Sequence, residues 1–315
     1  MTQETSYANY INYRLNEYVK TLNYGVFFGQ NVVSGSRISG LGAKMEENRN
    51  LLSFNTQNSE NSLFGLGFGL SIQGVPSIYL MKQHDFALLA MDHMVNTRRL
   101  LQSTSNRASF LVIMVVVDSG FEGPQSNLNN LDDFFSLSNC KIWLLNSKEA
   151  IDAAFQSERQ DFEIFAIAQS TLKKILSPVD NFGVEGGFSF ERDSFVAQDS
   201  LPLLLNCGLV TKGFQECVNS LKNDGIKFHA MKQVEMNLET NLNFISKISS
   251  KNRKIVIFDA SKSINKLSNQ IAILLAEKGL RVLQINRGDY ADWSYVNHDQ
   301  FEINYLPVLQ FLNNV

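Results

Sequence analysis

Residues 110–117 read FLVIMVVV, eight consecutive apolar positions rich in β-branched side chains. Period-two alternation is absent, so a strand with one wet face does not fit; the run is too short for a buried helix and far below the ~20 residues that span a bilayer. What fits is a central strand covered on both sides, the situation of a parallel sheet in an α/β protein. Around it the chain alternates. Strands are expected at Tyr24–Gly29, Leu51–Asn55, Val75–Met81, Lys141–Leu145 and Phe162–Ala168, and helices at Tyr7–Leu22, Ser62–Gln73, Leu88–Leu101 and Lys148–Gln156.

The alternation breaks where Pro178, Gly183, Gly186 and Gly187 cluster, then resumes. Strands are expected at Leu201–Asn206, Lys227–Lys232, Lys254–Asp259 and Arg281–Asn286, with helices near Lys212–Leu221, Leu238–Ile248 and Ile264–Lys278. The expectation is two doubly wound, mainly parallel-sheet domains, residues 1–180 and 194–315, joined by a linker at 181–193.

Composition narrows the function. A net charge of −3 lacks the basic surplus that phosphate neutralisation requires, which argues against a general nucleic-acid binder. Cys140, Cys207 and Cys217 form no CxxC pair, and the four histidines show no metal-ligand spacing. GxxxxGK[ST], a GxGxxG opening a helix after a first strand, and GxSxG are all missing. The opening residues lack the basic-then-apolar layout of a signal peptide, so the expected setting is cytoplasmic.

One segment carries chemistry. Asn55-Thr-Gln-Asn-Ser-Glu60-Asn-Ser-Leu-Phe-Gly-Leu-Gly-Phe-Gly places a carboxylate between a strand and an unusually apolar, Gly-rich helix. By itself this describes a helix-dipole carboxylate worth about 0.3–1 kcal/mol.

The order of motifs says more. Tyr24-Gly-Val-Phe-Phe-Gly-Gln-Asn-Val, Ser36-Arg, Asn58-Ser-Glu-Asn, Val75-Pro76, Asp85-Phe86, Ala90-Met-Asp-His-Met-Val-Asn96 and Gly123-Pro-Gln125 follow one another. Together they resemble the beta subunit of the thiamine-diphosphate-dependent 2-oxo-acid dehydrogenases, with its transketolase-like pyrimidine-binding domain. The second half, including Lys254-Ile-Val-Ile-Phe-Asp, is similar to the transketolase C-terminal domain.

The resemblance implies that Glu60 hydrogen-bonds a pyrimidine nitrogen of thiamine diphosphate and that Phe86 stacks on the ring. A carboxylate at Glu60 shares a proton with the cofactor, which an amide cannot supply. His84, two residues before Phe86, is a candidate for protonating an acceptor. The chain lacks the GDG…N pattern that holds the diphosphate through Mg²⁺. The resemblance therefore implies an alpha-type partner carrying that half, in an α₂β₂ heterotetramer.

Two positions depart from the family. Gln30 stands where an acidic residue of a proton relay is usual, although Asp92 keeps another acid of that set. Ser126 stands where a histidine follows Gly-Pro-Gln in the dehydrogenases, which handle a lipoyl acceptor. The expected activity is therefore cleavage of a C–C bond next to a carbonyl, with transfer of the acyl or ketol fragment to a carbonyl acceptor, a sugar included. A 2-oxo-acid (pyruvate-type) dehydrogenase subunit is the second reading, and a non-catalytic regulatory homologue the third.

Overall fold

A computed structural model describes residues 5–33, 38–103, 107–118, 130–176, 182–191, 200–210, 212–248, 253–287 and 303–314. The chain forms two compact units. The first comprises residues up to Val117 together with Phe134–Pro178; the second comprises Asp118–Asp133 together with Val179 onward. Sequence motifs at Ser36-Arg, Gly123-Pro-Gln125 and Ser126 lie outside the described residues.

The first unit contains α1 (Tyr7–Lys20), β1 (Gly25–Gly29), β2 (Leu51–Asn55), α2 (Glu60–Ile72), β3 (Ser77–Met81), α3 (Arg98–Leu101) and β4 (Phe110–Val116). After α4 (Leu131–Ser138) it is completed by β5 (Lys141–Leu144), α5 (Lys148–Gln156) and β6 (Phe162–Ala168). These strands pair in the order β5-β6-β4-β3-β1-β2, parallel throughout.

Side-chain alternation gives each face its own cover. Phe27, Ile78, Leu80, Leu111, Ile113 and Phe165 pack with Ile11, Leu15 and Val19 of α1 and with Ile151 and Ala154 of α5. On the other face Phe28, Tyr79, Phe110 and Phe162 form an aromatic layer with Phe64 and Phe68 of α2. Residues 110–116 are all buried, as a doubly covered strand requires.

The helix expected at Leu88–Leu101 is broken. Residues His84–Ala90 form a 3₁₀ segment, His93–Thr97 a π turn and only Arg98–Leu101 an α-helix. The π turn brings Thr97 Oγ1 to 2.9 Å from His93 Nδ1.

The second unit contains β7 (Phe182–Glu185), β8 (Phe188–Glu191), β9 (Leu203–Cys207), α6 (Lys212–Asn223), β10 (His229–Gln233), a two-residue strand β11 (Glu235–Met236) and α7 (Leu238–Ser246). It ends with β12 (Lys254–Asp259), α8 (Leu267–Glu277), β13 (Arg281–Asn286) and α9 (Tyr305–Asn313). Its sheet runs β13-β12-β9-β10-β8-β7. The first four strands are parallel, whereas β8 and β7 are antiparallel additions. Residues 182–191, read from sequence as part of a linker, therefore form a hairpin of this sheet.

Phe214, Val218 and Leu221 of α6 and Val308 and Leu312 of α9 cover one face, over Leu204, Val256 and Phe258. Both units are doubly wound and mainly parallel, as the alternation predicts. Among the described residues no helix is long and apolar enough to cross a membrane.

Candidate functional site

In the first unit β2 lies outside β1, and the chain then crosses back to place β3 on the other side of β1. Connections leaving the carboxyl ends of β1 and β3 diverge at such a reversal and leave a crevice between them, where ligands of open α/β sheets bind. The candidate residues belong to this edge. Gln30 directly follows β1, Glu60 opens the helix after β2, and His84–Phe86 open the turn after β3.

Glu60 is the first residue of α2 and only 4% exposed. Its helical position suits a carboxylate, because the N-terminal amides present partial positive charge. Four residues on, Phe64 meets Tyr79 edge-on at 5.8 Å, so Glu60 shares the sheet-facing side of α2. The electrostatics agree. Burial, and then the Glu60 charge, push the Tyr79 phenol well above its ordinary range. Among the described residues no side chain donates a hydrogen bond to the Glu60 carboxylate.

Asn61, the next residue, donates from Nδ2 to the Leu89 carbonyl at 3.2 Å. That bond ties the head of α2 to the 84–90 turn, and with it Glu60 to the element bearing Phe86. Phe86 itself is half-buried. Sequence reasoning assigned no role to Asn61 or Tyr79. Asn61 was visible inside the Asn58-Ser-Glu-Asn motif, but the partners of both residues come from non-local pairing.

His84 is fully buried. Its Nδ1 lies 3.1 Å from Asp85 Oδ2, and its ring meets Phe134 edge-on at 6.1 Å. The described part of this unit thus encloses the imidazole. Asp92 is exposed and accepts a hydrogen bond from Asn96 Nδ2 at 2.8 Å. Gln30 is half-buried. Among the described residues no group of three His, Cys, Asp or Glu side chains is placed to hold a metal ion.

The residues present fit the pyrimidine half of a thiamine-diphosphate site: a buried carboxylate with no side-chain donor among the described residues, tied through Asn61 to a turn that presents an aromatic ring. Two doubly wound units in this order match a transketolase-like two-domain fold. The chain superposes on a split-gene transketolase, described as an inactive beta4 tetramer, with a TM-score of 0.61 at 14% identity over 91% of both chains. It superposes on transketolase from Campylobacter jejuni with a TM-score of 0.59 at 14% identity, covering 90% of this chain but 42% of that one. No family model matches the sequence, and no curated protein matches it either.

Proposed function

We propose that this chain is the beta-type half of a heteromeric thiamine-diphosphate enzyme that cleaves a C–C bond next to a carbonyl and passes the acyl or ketol fragment to a carbonyl acceptor, such as a sugar. The observation that carries this reading is Glu60, a buried carboxylate with no donor among the described residues, heading α2 beside the β1/β3 reversal. The bound cofactor would supply a carbanion-stabilising carbon nucleophile. This chain's share is to hold a proton at the Glu60 carboxylate and to offer Phe86 as a stacking surface. Asn61 keeps those two elements together.

Two further observations support the reading. The sequence has no GDG…N, so an alpha-type chain would hold the diphosphate and Mg²⁺, in an α₂β₂ assembly. Both named structural neighbours are transketolases, one of them a split-gene transketolase, which favours transfer to a carbonyl over transfer to a lipoyl group.

Co-expression with an alpha-type chain carrying GDG…N tests the proposal. The complex is expected to bind thiamine diphosphate and form C–C bonds between a ketose or 2-oxo-acid donor and an aldose. The isolated chain is expected to show no calorimetric binding at micromolar cofactor. Rapid acylation of a lipoyl domain from pyruvate would return the protein to the dehydrogenases.

A further inference from the structure

Away from the candidate site, a buried polar group such as Asp132 is explained by the fold. Its Oδ1 accepts the Leu267 N–H at 2.9 Å and caps α8, where the N-cap residue Lys266 makes no side-chain bond. The π turn at His93–Thr97 has no such local reason. A turn of this kind carries one residue more than an α-helical turn, is rare, and recurs at functional sites. Here Thr97 Oγ1 lies 2.9 Å from His93 Nδ1 and fixes the orientation of the half-buried imidazole.

The ring faces α2. A Cβ on Gly65 would stand 3.2 Å from His93 Nε2 and 3.3 Å from Cε1, so the imidazole is seated against bare backbone. The Phe68 ring lies beside it, 6.5 Å away between centroids. Asn61, Gly65 and Phe68 recur at helical spacing and share one face of α2. All three meet the stretch from residue 84 to residue 97: Asn61 at the Leu89 carbonyl, Gly65 and Phe68 at His93. Among the described residues His93 Nε2 makes no hydrogen bond, so its contact with α2 is steric. The ring sets a distance and adds no bond.

Each of the two elements carries part of the candidate site. Glu60 directly precedes Asn61, and Phe86 lies on the same 3₁₀ segment as Leu89. We propose that His93 is a positioning residue, its imidazole acting as the spacer that sets the separation between Glu60 on α2 and Phe86 on the 84–97 stretch. This role depends on the pyrimidine-site reading of Glu60 and Phe86. Functional groups must be held to within about 0.5 Å of their productive geometry. The contact at Gly65 is tight enough for a single methyl group to move it by a few tenths of an ångström.

Gly65→Ala therefore separates position from stability, because alanine is the better helix former. In the full chain, nuclear magnetic resonance of the Asn61 side-chain amide reads the spacing through its bond to Leu89. That resonance is expected to shift in Gly65→Ala and to stay in place when Gly65→Ala is combined with His93→Ala, where no ring meets the new methyl group. In the two-chain complex, calorimetry reads thiamine diphosphate. Its dissociation constant is expected to rise about tenfold in Gly65→Ala, less than the roughly 10²-fold attached to a 1 Å misplacement. The double variant is expected to bind no more weakly than His93→Ala alone.

An unmoved Asn61 resonance overturns the spacer, and so does a Gly65→Ala effect that is undiminished without the ring. Wild-type cofactor affinity in Gly65→Ala removes His93 from the site but leaves Glu60 and Phe86 in place. No binding by the wild-type complex instead removes the pyrimidine-site reading itself. If Gly65→Ala does not fold, Thr97→Val decides, since it frees the ring with almost no change in volume. Weaker cofactor binding is expected there, and wild-type affinity overturns the proposal.

Discussion

Gly67 of α2 lies so close to Phe110 of β4 that a Cβ on it would stand 2.2 Å from Cζ of the ring. The ring cannot retreat, since Phe64, Phe68 and Phe162 close around it at centroid distances of 5.8, 5.2 and 5.5 Å. Gly67→Ala is therefore expected to lift α2 from the sheet at a cost of about 2–3 kcal/mol, the upper range for overpacking. Urea denaturation measures it. Because α2 carries Glu60, turnover in the proposed two-chain enzyme should fall with stability; an unchanged midpoint would contradict the packing.

Glu60→Gln tests the chemistry without the packing, because the amide is nearly isosteric. Far-UV circular dichroism should be unchanged. Turnover in the proposed two-chain enzyme should fall by more than the roughly 10²–10⁴-fold typical of a lost acid–base group. Wild-type activity in this variant removes Glu60 from the mechanism.

His84 is expected to act through the fold. Its buried ring contacts Asp85 and Phe134, so His84→Ala should cost about 2–4 kcal/mol from the cavity and the lost contact with Asp85. Thermal unfolding reads this directly. Unchanged stability with slowed transfer to the acceptor would instead place the imidazole at the substrate.

Asn241 has a comparable role in the second unit. Its Nδ2 donates to the Gly186 carbonyl and its Oδ1 accepts from Gln233 Nε2, both at 2.9 Å. Asn241→Ala removes both bonds from a fully buried position and is expected to destabilise by about 2–3 kcal/mol, with loss of amide protection in β7 and β8.

The parts of the fold legible in the sequence are those dictated by local pattern. The 110–117 run could only be a doubly covered strand, and Glu60 before a Gly-rich apolar helix marked the head of α2. The misreadings have physical reasons. Gly186 and Gly187 looked like breakers of a linker, but their φ of 58° and 81° are what a tight hairpin turn demands. Residues 88–101 carry helical periodicity, yet a 3₁₀ segment and a π turn interrupt it. Local pattern marks no helix at α4 or α9. In α9 Pro307 suggests a break, although a proline in the first helical turn removes no intrahelical bond. The candidate site was legible as an order of motifs, whereas the burial of His84 and the Asn61–Leu89 tie arise from tertiary packing.

The bond between Asp132 and the Leu267 amide has a consequence for synthesis of the chain. At the ribosome's about 5–20 residues per second, the 135 positions separating them take about 7–27 seconds to emerge. During that interval Asp132 has no helix terminus to cap. Strands β4 and β6, which pair with each other, have both emerged well before that bond can form. The capping of α8 is therefore a late, non-local step that follows the completion of β12, so an arrest before residue 267 leaves Asp132 without its partner amide.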